Sequence, residues 1–211
     1  VQTLKVFVSF LNDREMRMDE ATTERVLQDS MFELDNLSAY LGKLKDMVCA
    51  DERETLLRPS AFNLRELVEK VVRLTNIPTG KKVSFSTAFP PDMPDLTADP
   101  VHVANVLSNL IENAIKYSRE EVDIDIVVLW NQQRVELTVS DNGFGIAPDE
   151  RRKVFDKFYR SSHLPDKQIP GIGLGLSYVR QIVEAHHGSV SLRSELGEGT
   201  RITINLPTTA L

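Results

Sequence analysis

Apolar positions recur with a helical period over the first fifty residues. Val1, Leu4, Val8 and Leu11 share one stripe of a helix spanning residues 1 to about 16. The polar stretch Asp19 to Thr23 predicts a turn, and a second helix runs to about Asp51. In it Leu27, Leu34, Leu41 and Val48 repeat every seven residues, with Leu37 and Leu44 at the companion heptad position and Thr23 and Ser30 weakening that position at the start. Two such helices joined by a short turn form an antiparallel hairpin. Its apolar seam needs cover, from a second copy in a dimeric four-helix bundle or from the rest of the same chain; the dimer through residues 1–50 is the favoured arrangement.

After a charged linker ending at Arg58-Pro59-Ser60 the pattern changes. Residues 62–75 read as an amphipathic helix with Asn63 as N-cap, and Val83, Phe85 and Phe89 as a strand. Asp99-Pro100 is a helix start. The run behind it places Val103, Leu107, Leu110, Ile111, Ala114 and Ile115 on one face, and His102, Asn105, Asn109, Asn113 and Lys116 on the other. Two strands follow, alternating at Val122, Ile124, Ile126, Val128 and at Val135, Leu137, Val139, then a short helix from Pro148 and a loop to Pro170. A helix from about Gly173 to His187 stops at Gly188, and strands at residues 190–194 and 202–206 close the chain. Strand pairs joined by short turns, interspersed with helices, predict an α+β sandwich: a mixed sheet with helices on one face. The domains expected are a hairpin over residues 1–58 and a second domain over 59–211.

The 211 residues are 41% hydrophobic and carry a net charge of −6. That balance offers no electrostatic footprint for nucleic acid. The single cysteine, Cys49, suits reducing surroundings and a cytoplasmic setting. No apolar run reaches membrane-spanning length and no signal peptide opens the chain, so any membrane attachment would come through upstream segments. Val1 begins inside an amphipathic run, which predicts a fragment of something longer.

Candidate chemistry gathers in the second domain. Asn is a poor helix former, so a stripe of it ending in Lys116 is either a polar outer face or a set of oxygen donors with an ammonium beside them, suited to a hard cation and a phosphate chain. Asp141 ends an apolar strand where a glycine turn begins, and its carboxylate can accept a hydrogen bond from an exocyclic amine; Asp-Asn-Gly is also a common turn signal. Gly143 and Gly145 allow close backbone approach to a flat ligand. Gly171-Ile-Gly-Leu-Gly-Leu-Ser177 precedes a helix, where free N–H groups can cradle phosphate, though the spacing matches neither the dinucleotide nor the P-loop pattern. Phe155, Phe158 and Tyr159 form an aromatic cluster, read as core, and Arg160 behind it can reach a phosphate. None of the four histidines has metal-site spacing with Cys partners.

In their order these motifs resemble the sensor histidine kinases of two-component systems. Asn109 to Tyr117 is similar to their N box, Asp141 to Gly145 to the G1 box and Phe155 to Phe158 to the F box. Gly171 to Gly175 is similar to the G2 box and Gly197 to Thr200 to the G3 turn. The resemblance implies the Bergerat ATP-binding fold, with ATP and Mg²⁺ as ligands. By that likeness Asp141 holds the adenine amine, Asn113 and Asn109 face Mg²⁺ and phosphate, Lys116 neutralises phosphate and Tyr117 packs near the base. Gly143, Gly145, Ile146, Gly171, Gly173, Leu174, Gly175, Leu176 and Thr200 complete the nucleotide site, and the loop from Ile146 to Gly171 is the ATP lid, with Arg160 near its start. It implies transfer of the γ-phosphoryl group to a His and then to an Asp on a response-regulator receiver domain. Hydrolysing relatives carry a Glu at the first N-box position; here Asn109 is an amide and cannot act as a base.

The chain departs from the family pattern at one place. The phosphoacceptor His, the acidic residue beside it and the following Pro are absent, and Val1-Gln-Thr-Leu resembles sequence just after such a box. The expectation is truncation downstream of the His, hence ATP binding without autophosphorylation. A nucleotide-gated interaction module or a degenerate kinase is the alternative.

Overall fold

The computed structural model describes residues 57–75, 80–131, 133–163, 169 and 171–208. All of them fall in one compact unit, Thr55–Leu211. The predicted hairpin, apart from its last two residues, lies outside the described residues.

The chain enters through a short strand, β1 (Ser60–Phe62), and helix α1 (Leu64–Leu74). Asn63 caps α1 as its sequence position predicts, its Oδ1 accepting the Glu66 N–H at 3.1 Å. Strands β2 (Lys82–Ala88) and β3 (Leu96–Ala98) lead to the long helix α2 (Pro100–Lys116). Then come β4 (Glu121–Trp130), β5 (Arg134–Asp141), α3 (Gly175–Ala185), β6 (Ser189–Glu195) and β7 (Gly199–Pro207).

The main sheet has the order β2-β4-β5-β7-β6. Only β2–β4 is parallel; the other pairs are antiparallel, so the sheet is mixed as predicted. The alternation read from sequence selects the buried face: Ile126 and Val128 of β4 oppose Val139 and Leu137 of β5 with Ile202 and Ile204 beyond, and Ile124 shares their face, all buried. Ile111 of α2, Val68 of α1 and Val179 of α3 are fully enclosed in the same core. The other face of the sheet carries Glu121, Asp123, Asp125 and Arg201, all exposed.

Two local expectations need correction, and one strand pair was not foreseen. β1 and β3 pair with each other as an antiparallel ribbon, a sheet too short to show alternation. The stretch from Pro148 forms turns and a single 3-10 turn, Lys153–Phe155, because Val154 and Asp156 close bonds over one turn only. α3 ends in a Schellman motif whose left-handed residue is His187 (φ 57°), not Gly188. The His187 N–H bonds Glu184 O and the Gly188 N–H bonds Val183 O. Gly188 is required for space instead, since a Cβ there would lie 2.2 Å from Asn205 O.

Beside that motif, the buried ring of His186 joins two helices. Its Nε2 accepts the backbone N–H of Asp99 at 3.0 Å, and Nδ1 donates to Ile182 O at 2.8 Å. Asp99 is itself the N-cap of α2: Oδ1 takes the N–H groups of Val101 and His102, and Oδ2 takes that of Arg58 at 2.8 Å.

Candidate functional site

The Asn stripe of α2 dives from solvent into a contact with α3. At its start His102 Nδ1 and Asn105 Nδ2 reach the Tyr178 hydroxyl of α3, at 2.9 and 3.5 Å. One turn on, Asn109 is only 7% exposed and its Nδ2 donates to Asn105 O at 2.8 Å. Its Oδ1 faces the first residue of α3, where a Cβ on Gly175 would stand 3.1 Å from Asn109 Oδ1 and 3.5 Å from Asn113 Nδ2. Of the two readings left open by the sequence, a polar outer face does not describe residues 109 and 113. Lys116 Nζ pairs with Glu112 Oε2 at 3.3 Å. Glu112 belongs to a different concavity, a groove of about 520 Å³ between α1 and α2 lined by Leu67, Val71 and Leu74.

The last turn of α2 meets the Asp141 turn. The Phe144 N–H bonds Tyr117 O at 2.9 Å, and the Tyr117 hydroxyl lies 3.8 Å from where a Cβ on Gly171 would sit. Asp141 ends β5 with Oδ1 accepting two backbone N–H groups, from Gly143 at 2.8 Å and from Thr200 at 3.2 Å. Among the described residues both bonds fall on Oδ1, which leaves Oδ2 for a further donor. Burial pushes this carboxyl up to about 6 against the pull of those two N–H groups.

The glycines of this turn are fixed by protein neighbours. A Cβ on Gly145 (φ 70°) would fall 1.8 Å from Glu195 O, and one on Gly143 would fall 2.6 Å from Tyr117 O. Ser194, which sequence reasoning missed, locks the same junction. Its hydroxyl accepts the Ile146 N–H at 2.8 Å, donates to Gly199 O at 2.7 Å and lies 3.0 Å from Thr200 Oγ1. A serine in an alternating strand gives no signal of such a role.

The aromatic cluster does not form one core patch. Phe155 is buried, with the Arg180 guanidinium 5.8 Å from its ring centre and donating to its carbonyl at 2.9 Å. Phe158 (φ 66°) is 62% exposed, and its N–H bonds Gly173 O at 2.9 Å. Gly173 holds φ 77°, outside the right-handed helical region, so α3 starts at Gly175 and not at Gly173; a Cβ on Gly173 would stand 2.5 Å from Tyr159 O. Leu174 is buried and Leu176 packs on the core, so they offer a ligand backbone and not side chains. Arg160 Nη2 donates to Ile169 O at 2.6 Å.

The other residue missed is Glu150, 1% exposed within a run of charges. It accepts from Tyr159 OH at 2.9 Å, from the Ser162 N–H at 3.0 Å, from Ser162 Oγ at 2.9 Å and from Ser161 Oγ; His163 Nδ1 lies 3.2 Å away. Burial pushes its carboxyl up, but the donations from Ser161, Ser162 and Tyr159 outweigh it and hold the group at about 2.

Asn109, Asn113, Tyr117, Asp141, Gly143, Thr200, Gly171 and Gly175 are thus brought together through direct neighbours, at the junction of α2, the end of β5 and the start of α3. Lys116 and Arg160 are engaged with Glu112 and Ile169. No group of three or more His, Cys, Asp and Glu suited to a metal occurs among the described residues, and none of their helices is long and apolar enough to cross a membrane.

Comparison with known proteins places the chain in a family. The family model described as histidine kinase-, DNA gyrase B- and HSP90-like ATPase matches residues 98–210. Sensor protein RprX of Bacteroides fragilis is 32% identical over 93% of this chain and 35% of its own. The adaptive-response sensory kinase SasA of a Synechococcus strain is 32% identical over 92% of this chain and 52% of its own. The chain therefore spans about a third to a half of these relatives. Among solved structures, full-length ShkA in complex with AMPPNP aligns with a TM-score of 0.75 at 22% identity, over 93% of this chain and 41% of that one. The catalytic domain of histidine kinase ThkA gives 0.61 at 26% identity, over 72% of this chain and 99% of that one. ThkA in complex with response regulator protein TrrA gives 0.70 at 23% identity, over 99% and 58%.

Proposed function

Because the chain belongs to the histidine kinase-, DNA gyrase B- and HSP90-like ATPase family, we propose that residues 59–211 bind Mg-ATP as the catalytic domain of a sensor histidine kinase. The observation that carries this reading is Asp141: a largely buried carboxylate with Oδ1 pinned by Gly143 and Thr200 and Oδ2 presented for the adenine amine. Tyr117 and the Gly143 turn flank the base. The N–H groups at the start of α3, left unbonded by the helix itself, receive the phosphates. Full-length ShkA, which shares the fold, is a complex with AMPPNP, and this supports a nucleotide as the ligand.

Magnesium takes hard oxygen donors and keeps several waters. Asn109 Oδ1, facing Gly175 with its Nδ2 committed to Asn105 O, is such a donor, and Asn113 adjoins it. When bound, the ion would neutralise charge on the phosphate oxygens. Asn109 and Asn113 would hold it, Lys116 and Arg160 would add positive charge, and Asn109 in place of a carboxylate would leave water without a base. The domain's work is then positioning and electrostatics, as in phosphoryl transfer generally. In the whole protein the γ-phosphoryl group would go to a His and then to an Asp of a response regulator; the ThkA–TrrA complex is a precedent for such a partner.

Asp141→Ala is expected to weaken ATP binding at least about tenfold in calorimetry, because the adenine amine is left unpaired in a buried site. Unchanged affinity removes the basis of the proposal. Residues 1–58 would supply the dimerisation hairpin. Removing residues 1–50 should turn a dimer into a monomer in light scattering, and a persisting dimer refutes that part.

A further inference from the structure

Lys81 precedes β2 and belongs to none of the motifs. Its Nζ donates to Ile115 O at 2.6 Å, Lys116 O at 3.3 Å and Ser118 O at 2.7 Å. An ammonium has three donors, and here they meet three carbonyls where α2 ends. Helix-terminal carbonyls lack partners within the helix and carry the negative end of its dipole, so a cation there is favoured twice. Burial lowers the Lys81 pKa from its usual value, in keeping with an ammonium drawn partly out of water.

What Lys81 holds is the wall of the site. Tyr117 lies between the second and third of its carbonyls and bonds Phe144 through its own. Ser118 is buried, and its hydroxyl donates to Ala114 O, closing the same turn from inside. A Cβ on Gly143 would stand 2.6 Å from Tyr117 O and 2.9 Å from Ser118 Oγ, so the end of α2 and the Asp141 turn have no slack between them.

We infer that Lys81 is a positioning residue for the nucleotide: a charged clamp on the end of α2 that sets Tyr117 against the Asp141 turn and so fixes the width of the base pocket. The inference rests on the reading of Asp141 as the adenine acceptor. Because the clamp acts on the base end, its loss weakens adenosine and ATP by the same factor.

The test is calorimetry of both ligands on the full chain, well below its unfolding temperature. Lys81→Met keeps the stem and removes the donors; both dissociation constants are expected to rise about tenfold. Affinities unchanged beside a lowered melting temperature overturn the inference, since the lysine would then serve the fold alone. A loss for ATP that spares adenosine overturns it too, by moving the effect to the phosphates. Should Lys81→Met not fold, Lys81→Gln, with two amide hydrogens in place of three, is expected to weaken both ligands about threefold, and wild-type affinity in that variant overturns the inference. If the unaltered chain does not bind ATP, or Asp141→Ala binds it as well, the nucleotide reading fails first and takes the Lys81 inference with it. Normal binding lost in Asp141→Ala but kept in the Lys81 variants sinks the Lys81 inference alone.

Discussion

Two carboxylates, half-buried Asp141 at the end of β5 and buried Glu150 in the turns after it, sit in opposite electrostatic states. Glu150 is saturated, with Tyr159, Ser161 and Ser162 all donating to it, and its acid form is suppressed to about 2. Asp141 receives two bonds on one oxygen, and its acid form is favoured up to about 6. On the proposed reading, the difference separates a group that serves the fold from one held ready for a ligand. A carboxylate whose partners are all internal gains from ionising, whereas one that keeps an oxygen open bears the desolvation until a donor arrives.

The comparison can be broken at either end, and Glu150 should give the larger effect. Glu150→Ala leaves several buried donors without an acceptor and is expected to cost about 2–4 kcal/mol, measured by denaturant unfolding. Hydrogen exchange should concentrate the loss at residues 159–163. A cost below about 0.5 kcal/mol, the level of an ordinary surface change, would show that the cluster is incidental. Asp141→Asn should act in the reverse direction on stability, raising that of the unliganded domain at pH 7 by up to roughly 2 kcal/mol while ATP affinity falls. A destabilised Asn variant would contradict the assignment of Asp141 as a strained, ligand-directed group.

The pH dependences differ in sign as well. Asp141 has a folded pKa above its ordinary 3.8, so its contribution favours the fold below that value and is lost as pH rises through about 6. Glu150 has a folded pKa below its ordinary 4.5, so its contribution is present above that value and is lost as pH falls through about 2. Stability curves of Asp141→Asn and Glu150→Gln against the unaltered chain should therefore part company at opposite ends of the acid range. Superimposable differences would erase the distinction.

The elements legible in the sequence were those whose local pattern agrees with their tertiary environment. Asp99-Pro100 starts α2 as it reads, and the alternation in β4, β5 and β7 names the residues that prove buried. The family resemblance of the motifs is borne out by the match over residues 98–210. What was illegible depends on contacts far along the chain. β1 and β3 exist only because Ser60 to Phe62 meets Leu96 to Ala98. The start of α3 is set by Gly173, held at φ 77° with its carbonyl accepting the Phe158 N–H. Glu150 looks like one charge among several in Asp149-Glu-Arg-Arg152, and Ser194, in phase with Val190 and Leu192, like a polar end to a strand's inner face, until the turns that donate to them or accept from them are folded over. The glycines were legible as necessary, but the bodies they make room for are carbonyls of the chain itself at 143, 145 and 173.

The His186 imidazole has a consequence for the frame of the site. It can donate from Nδ1 to Ile182 and accept at Nε2 from Asp99 only while uncharged, and burial depresses its pKa accordingly. α2 and α3 are two rods, spaced by amides and a glycine near the site and by one neutral ring at the remote end. Proton uptake there exchanges an acceptor for a second donor facing an N–H, and the rods lose their far strut as the solution turns acid.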